Sequence, residues 1–184
     1  MLDTNVKRCT WAESNDLMMN YHDKEWGVPV HDDQKLFEML NLEGAQAGLS
    51  WQTILARRDN YRKAFDNFDA EKIVQYDESM RSSLLQNEGI IRNRLKINAF
   101  IENAKAYLQT KQEYGSFDIY IWSFTNGKQL TLPDKSLADE ISKTMSKDLK
   151  KRGFRFVGPT ICYAFLQSVG VVNDHEPRCF YRNH

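Results

Sequence analysis

Long apolar runs are missing from this sequence. No stretch reaches the roughly 18 consecutive apolar residues that a membrane-spanning helix needs, so no span is expected. The first residues are polar and lack the apolar centre of a secretory leader. Cysteine is scarce as well, at three residues. Three thiols cannot all pair within one chain. A dense disulfide framework is therefore excluded, and a reducing, cytoplasmic compartment is expected. Neither sign of charge dominates: 25 Lys and Arg balance 25 Asp and Glu. That balance argues against blanket attraction to nucleic acid and leaves room only for a local basic patch. Repeats and low-complexity segments are absent.

What is present suits a packed domain. Of 184 residues, 41% are apolar and 12% aromatic, enough for one core in a single domain over 1–184, or two lobes sharing a cleft. Helical signals dominate, and the expected fold class is all-α. Asp32 and Asp33 are placed to cap a helix whose Leu36, Phe37 and Leu40 face a core. Ser50 and Asp69 precede two short helical patterns. Ile90 to Leu108 is long and periodic. Ser136 with Asp139 resembles a capping box opening a helix toward Arg152, and Pro159 suits the first turn of the next, which ends by Gly170. Ile119 to Leu132 alternates around Asn126-Gly127, a possible hairpin. The region near 115–135 reads as a connection between lobes.

Three groups of residues carry chemistry. Cys9 and His22 near one end, with His175 and Cys179 near the other, form a set that Zn²⁺ accepts tetrahedrally. Sets with four protein ligands are usually structural. His175 and Cys179 stand at i, i+4, the spacing of one side of a helical turn. The second group lies between Lys147 and Thr160. A basic helix runs into Gly153, and Gly158-Pro159 starts a new helix with free N–H groups and a positive dipole end. Lys150, Lys151, Arg152 and Arg155 add positive charge. Such an element grips a DNA backbone without reading bases, although a plain helical corner with a solvated basic face would look the same. Arg92, Arg94 and Lys96 after Gly89 repeat the theme, and surface charge explains them more simply. The third group is aromatic and acidic: Trp11, Tyr21, Trp26, Glu43 and Trp51. Glu43 follows Leu36 and Leu40 at helical spacing. A carboxylate among rings receives a flat cation well, though Glu43 reaching solvent remains an open alternative. Gly48-Leu49 reads either as a turn or as a small wedge able to enter a base stack.

Together these strings resemble the 3-methyladenine DNA glycosylase I family, within the helix-hairpin-helix DNA glycosylase superfamily. The resemblance covers nearly the whole chain. It rests on Cys9-Thr10-Trp11, Tyr21-His22-Asp23-Lys24-Glu25-Trp26-Gly27, Gln46-Ala47-Gly48-Leu49-Ser50-Trp51, Gly89-Ile90-Ile91-Arg92, Lys151-Arg152-Gly153-Phe154 and Asn173-Asp174-His175. It implies a helical bundle whose terminal lobe is clamped by structural zinc on Cys9, His22, His175 and Cys179. It implies that Glu43 recognises the methylated base and carries the catalysis, with Tyr21 and Trp51 stacking and Trp11 lining the pocket. Gly48 and Leu49 resemble the loop that fills the gap left by a flipped nucleotide. Lys151, Arg152, Gly153, Phe154 and Gly158 resemble the phosphate-gripping hairpin. One departure stands out: Met18 occupies a place where the family commonly has a second pocket tyrosine.

The implied reaction is hydrolysis of the N-glycosidic bond of 3-methyladenine in alkylated duplex DNA by a monomeric, monofunctional enzyme. Asp174 stands near the catalytic aspartate of many superfamily members, but it adjoins a zinc-ligand candidate and ranks low. A zinc hydrolase would need an open metal position, and a lesion sensor without cutting would need no Glu43. Cys162 reads as a core thiol and His31 and His184 as surface residues. Asp23, Lys24 and Glu25 read as exposed charges.

Overall fold

A computed structural model of the chain describes residues 6–131 and 136–182. His184 and Leu132 lie outside them. The helices are α1 (Asp16–Lys24), α2 (Asp33–Gln46), α3 (Trp51–Leu55), α4 (Arg58–Ala64), α5 (Ala70–Ile73), α6 (Glu78–Gln86), α7 (Arg94–Tyr114), α8 (Phe117–Ser123), α9 (Ser136–Lys151) and α10 (Pro159–Ser168). The expected all-α class is observed. Among the described residues the only strands are β1 (Leu130–Thr131) and β2 (Val172–Asn173), paired in parallel with Leu130 opposite Val172.

Local chemistry explains the helix starts. Asp32 accepts from the Lys35 amide at 2.7 Å, and Ser50 from the Thr53 amide at 3.2 Å. Asp69 caps α5 in the same way. Each cap satisfies an amide that the first turn leaves unpaired. α2 is the central helix. Every residue from Leu36 to Ala45 is buried, so it is covered on all sides rather than along one stripe. It packs against α3, α7, α8 and α10, while α9 and α10 pack against each other across the 152–158 turn. Beneath α7 lies an aromatic core in which Phe65 meets Phe100 edge-on, with centroids 4.5 Å apart.

Four expectations need correction. The long helix starts at Arg94, not Ile90, because Asn93 takes the extended cap conformation and accepts from the Lys96 amide at 3.1 Å. It then runs on to Tyr114, where Gly115 at φ 87 ends it. The 115–135 region is not a plain connection. Ser116 caps α8, which buries Phe117, Tyr120 and Ile121. Nor does Asn126-Gly127 close a hairpin, since β1 finds its partner in β2. Finally, no helix carries His175 and Cys179. They meet through a turn closed by the Cys179 amide on the Glu176 carbonyl at 2.8 Å.

Candidate active site

α1, α2, the α3 N-terminus and α10 enclose a cavity of about 420 Å³. Its walls include Trp11, Met18, Tyr21, Trp26, Glu43 and Trp51, the residues expected to form a pocket. Tyr21 and Trp51 lie with ring centroids 5.4 Å apart and tilted by 47°. Trp11 stands edge-on to Trp26 at 5.0 Å. Met18 lines the wall as a buried thioether, where a tyrosine would add a hydroxyl. The Tyr21 hydroxyl and Trp51 Nε1 are buried without a hydrogen-bond partner among the described residues. Buried polar atoms of this kind are rare in folded proteins, and in a cavity wall they suit a polar ligand.

Glu43 is buried, 3% exposed, because it sits on the fully covered helix α2. Burial raises its carboxyl from 4.5 to about 8; the nearby Ser168 hydroxyl offsets only part of that rise. No Lys or Arg among the described residues forms an ion pair with it. Burial therefore favours the protonated form of Glu43 near neutral pH. Burial, followed by the charge of Glu43, holds the Tyr21 phenol well above its ordinary value. Asp174 also lines the cavity, yet its Oδ2 accepts from the Tyr163 hydroxyl and Gln167 Nε2, both at 2.8 Å.

The four terminal Cys and His residues converge beside this cavity. All are buried, and their ligand atoms lie within 4.8 Å of one another. Cys179 Sγ is 3.4 Å from His22 Nε2 and 3.4 Å from His175 Nδ1, and Cys9 Sγ is 3.6 Å from His175 Nδ1. Tetrahedral zinc with ordinary Zn–S and Zn–N bonds needs S···N edges of about 3.5 Å. The donors therefore fit such an ion. Two supporting contacts were not foreseen. Asp23 Oδ1 lies 2.9 Å from His22 Nδ1, the arrangement that orients a ligating imidazole, and the Glu176 amide donates to Cys9 Sγ at 3.3 Å. Asp23 is thus no exposed charge: Arg8 holds it through bonds of 2.7 to 2.9 Å. Burial alone would raise its pKa, but Arg8 and His22 together pull it below the ordinary value. Glu25 is likewise engaged, by Arg58 at 2.6 and 2.8 Å.

Exposed turns flank the cavity. Gly48 has φ 77 with nothing near its missing Cβ, and Leu49 is 39% exposed. The α9–α10 turn has Gly153 at φ 99 and Phe156 at φ 54. Gly158 offers no side-chain cap, so the first amides of α10 stay open. Lys147, Lys150, Lys151 and Arg155 are exposed around them. Arg152 and Phe154 differ from expectation. The Arg152 guanidinium is held by Glu113 and Asp148, each at 2.6 Å, and lies over the Tyr114 and Tyr120 rings. Phe154 is 1% exposed, in the core. Both support the turn from behind rather than presenting side chains to solvent. Cys162 is buried as expected, and His31 is exposed, stacked on Trp122.

The helical body thus holds a buried carboxyl in a cavity lined by rings. Comparison with known proteins narrows this. Residues 11–182 match the family model described as methyladenine glycosylase. DNA-3-methyladenine glycosylase 1 of Escherichia coli is 49% identical over 179 residues, covering 95% of this chain and 96% of its own. The DNA-3-methyladenine glycosylase of Haemophilus influenzae is 47% identical over 180 residues, covering 94% and 96%. A solved structure of the Staphylococcus aureus 3-methyladenine DNA glycosylase I, a study of 3-methyladenine recognition, superimposes with a TM-score of 0.88. It is 36% identical, over 94% of this chain and 95% of that one. The chain belongs to the methyladenine glycosylase family and is an enzyme of that class, a hydrolase of N-glycosyl bonds.

Proposed function

We propose that this enzyme excises 3-methyladenine from alkylated duplex DNA by base flipping, as a monofunctional, monomeric glycosylase. The observation that carries the reading is Glu43, a buried carboxyl without a cationic partner in an aromatic cavity. Such a site suits a flat, positively charged ring. A purine methylated at N3 is cationic, and breaking its C1′–N bond sends the electron pair into the base, which leaves neutral. No proton has to reach the leaving group. Water then adds to C1′ and loses a proton. Extrusion costs a few kcal/mol, least for a damaged base.

The residues take these roles. Tyr21, Trp51 and Trp11 stack on the base or wall it in. An arriving cation lowers the pKa of Glu43, which ionises and accepts N–H donors from the base. Neutral adenine offers no such charge, so it gains less. Among the described residues no lysine lines the cavity, in keeping with simple hydrolysis without a Schiff base. The hydrogen bonds from Tyr163 and Gln167 to Asp174 suit a wall residue better than a base. Gly48 and Leu49 fill the gap in the stack. Lys151, with Gly153, Gly158 and the open amides of α10, grips a phosphate in the manner of a helix-hairpin-helix element. Cys9, His22, His175 and Cys179 would hold Zn²⁺, which stiffens the pocket wall and supplies no reaction chemistry.

Incubation with methylated duplex DNA and chromatography of the released bases tests the reading. Free 3-methyladenine with little 7-methylguanine is expected, and Glu43→Gln should slow release about ten- to a hundredfold, as for a lost charge-assisted bond. No released base at any enzyme concentration would overturn the function. Equal release by the variant would overturn the role of Glu43.

A further inference from the structure

Lys96 was expected on the surface, but it is 8% exposed. It lies in the first turn of α7, where the positive end of the helix dipole disfavours a cation. Its ammonium instead crosses to the far end of α2. Nζ donates to the Ala45 carbonyl at 2.8 Å and to the Ala47 carbonyl at 2.7 Å. Those carbonyls belong to the set that a helix end leaves unpaired, and the dipole there is negative. No carboxylate among the described residues forms an ion pair with Lys96, and burial holds its pKa below the ordinary value. A buried cation that forgoes an acid partner is costly unless its donors are well used.

The position of those carbonyls gives the contact its meaning. Ala45 and Ala47 stand between Glu43 and the exposed Gly48-Leu49 turn. About two helix turns further along α7, Asn103 Oδ1 accepts from the Arg155 amide at 2.7 Å, and Asn103 Nδ2 donates to Asn41 Oδ1 at 3.0 Å. Gly44 lies so close to Phe156 that an added Cβ would sit 3.2 Å from it. α7 thus fastens both the 47–49 turn and the α9–α10 turn to α2.

The geometry points to Lys96 as a positioning residue that sets the Gly48-Leu49 turn for entry into the DNA stack, without contacting the base. This rests on the glycosylase reading above. It predicts that losing the ammonium harms the step that needs duplex DNA and spares the base pocket. Lys96→Met keeps the stem and removes the charge. Three readouts are compared with wild type: single-turnover excision of 3-methyladenine from duplex, tryptophan-fluorescence binding of free 3-methyladenine, and fluorescence of 2-aminopurine placed next to a tetrahydrofuran abasic site.

The expected result is an excision rate lower by about tenfold or more, as for lost charge-assisted bonds. Free-base affinity should stay within about twofold, and the 2-aminopurine should brighten less. A merely structural role would move free-base binding along with excision, and that outcome overturns the proposal. So does excision equal to wild type. If K96M does not fold by circular dichroism, Lys96→Leu, which also removes the donors to Ala45 and Ala47, is measured in its place against the same two criteria. Absence of excision by wild type would instead sink the glycosylase reading itself.

Discussion

Burial makes the proton on Glu43 the chief variable of the pocket. In the unfolded chain its carboxyl titrates near the ordinary 4.5, and in the folded chain near 8. Between those values the folded state keeps a proton that the unfolded state has lost, so stability falls as pH rises through that window. One such proton is worth about 1.4 kcal/mol per pH unit. Glu43→Gln cannot titrate. Denaturant unfolding at pH 5.5 and pH 8 should therefore find the variant gaining on wild type as pH rises. Parallel pH dependence in both proteins would mean that Glu43 is already ionised when folded. The same residue explains a limit of sequence reading. Helical spacing put Glu43 on the apolar side of α2, but spacing alone left a route to solvent open. Coverage of α2 from every side, contributed by distant helices, decided the matter.

At the level of elements, cap chemistry was legible and side-chain destinations were not. Asp32, Ser50, Asp69 and Pro159 begin their helices as their residue types suggest. The apolar pattern from Ile90 onward predicted a helix but not its start, because Asn93 outcompetes three residues of matching periodicity. Arg152 and Lys96 read as surface charges, yet each is drawn inward by partners far away in the chain: Glu113 for one, the end of α2 for the other. The terminal Cys and His set was readable because few residue types bind metal. Asp23 behind His22 was missed because acids beside polar turns are common. The α9–α10 turn gives a direct test. Gly153 has φ 99, and among the described residues an added Cβ would meet only Ala106 Cβ, at 4.0 Å. Gly153→Ala would therefore meet backbone strain rather than a clash, costing about 1–2 kcal/mol. A melting temperature lower by roughly 2–8 °C is expected by calorimetry. An unchanged melting temperature would mean that the turn relaxes freely.

Across the whole molecule, the Cys and His cluster ties the first described segment to the last. The Phe180 amide donates to the Lys7 carbonyl at 2.9 Å beside it. Tyr21 adjoins His22, and Trp11 lies close behind Cys9, so two pocket rings hang on this knot. Among the described residues no ring contact joins the Phe65-Phe68-Phe100 aromatic core under α7 to it. On the proposed zinc reading, a chelator should therefore loosen the pocket wall before the core melts. Limited chymotrypsin digestion should then cut after Trp11 and Tyr21 early, while far-ultraviolet circular dichroism stays helical. Cleavage unaffected by chelation would count against this division of labour.

The knot also has a consequence in time. Cys9 and His175 are separated by 166 residues. At synthesis rates of about 5–20 residues per second, Cys9 is made roughly 8–33 s before its partner exists. Helices α2 to α9 can form during that interval, but the wall holding Trp11 and Tyr21 cannot close. A nascent chain at that stage lacks the finished wall of the cavity.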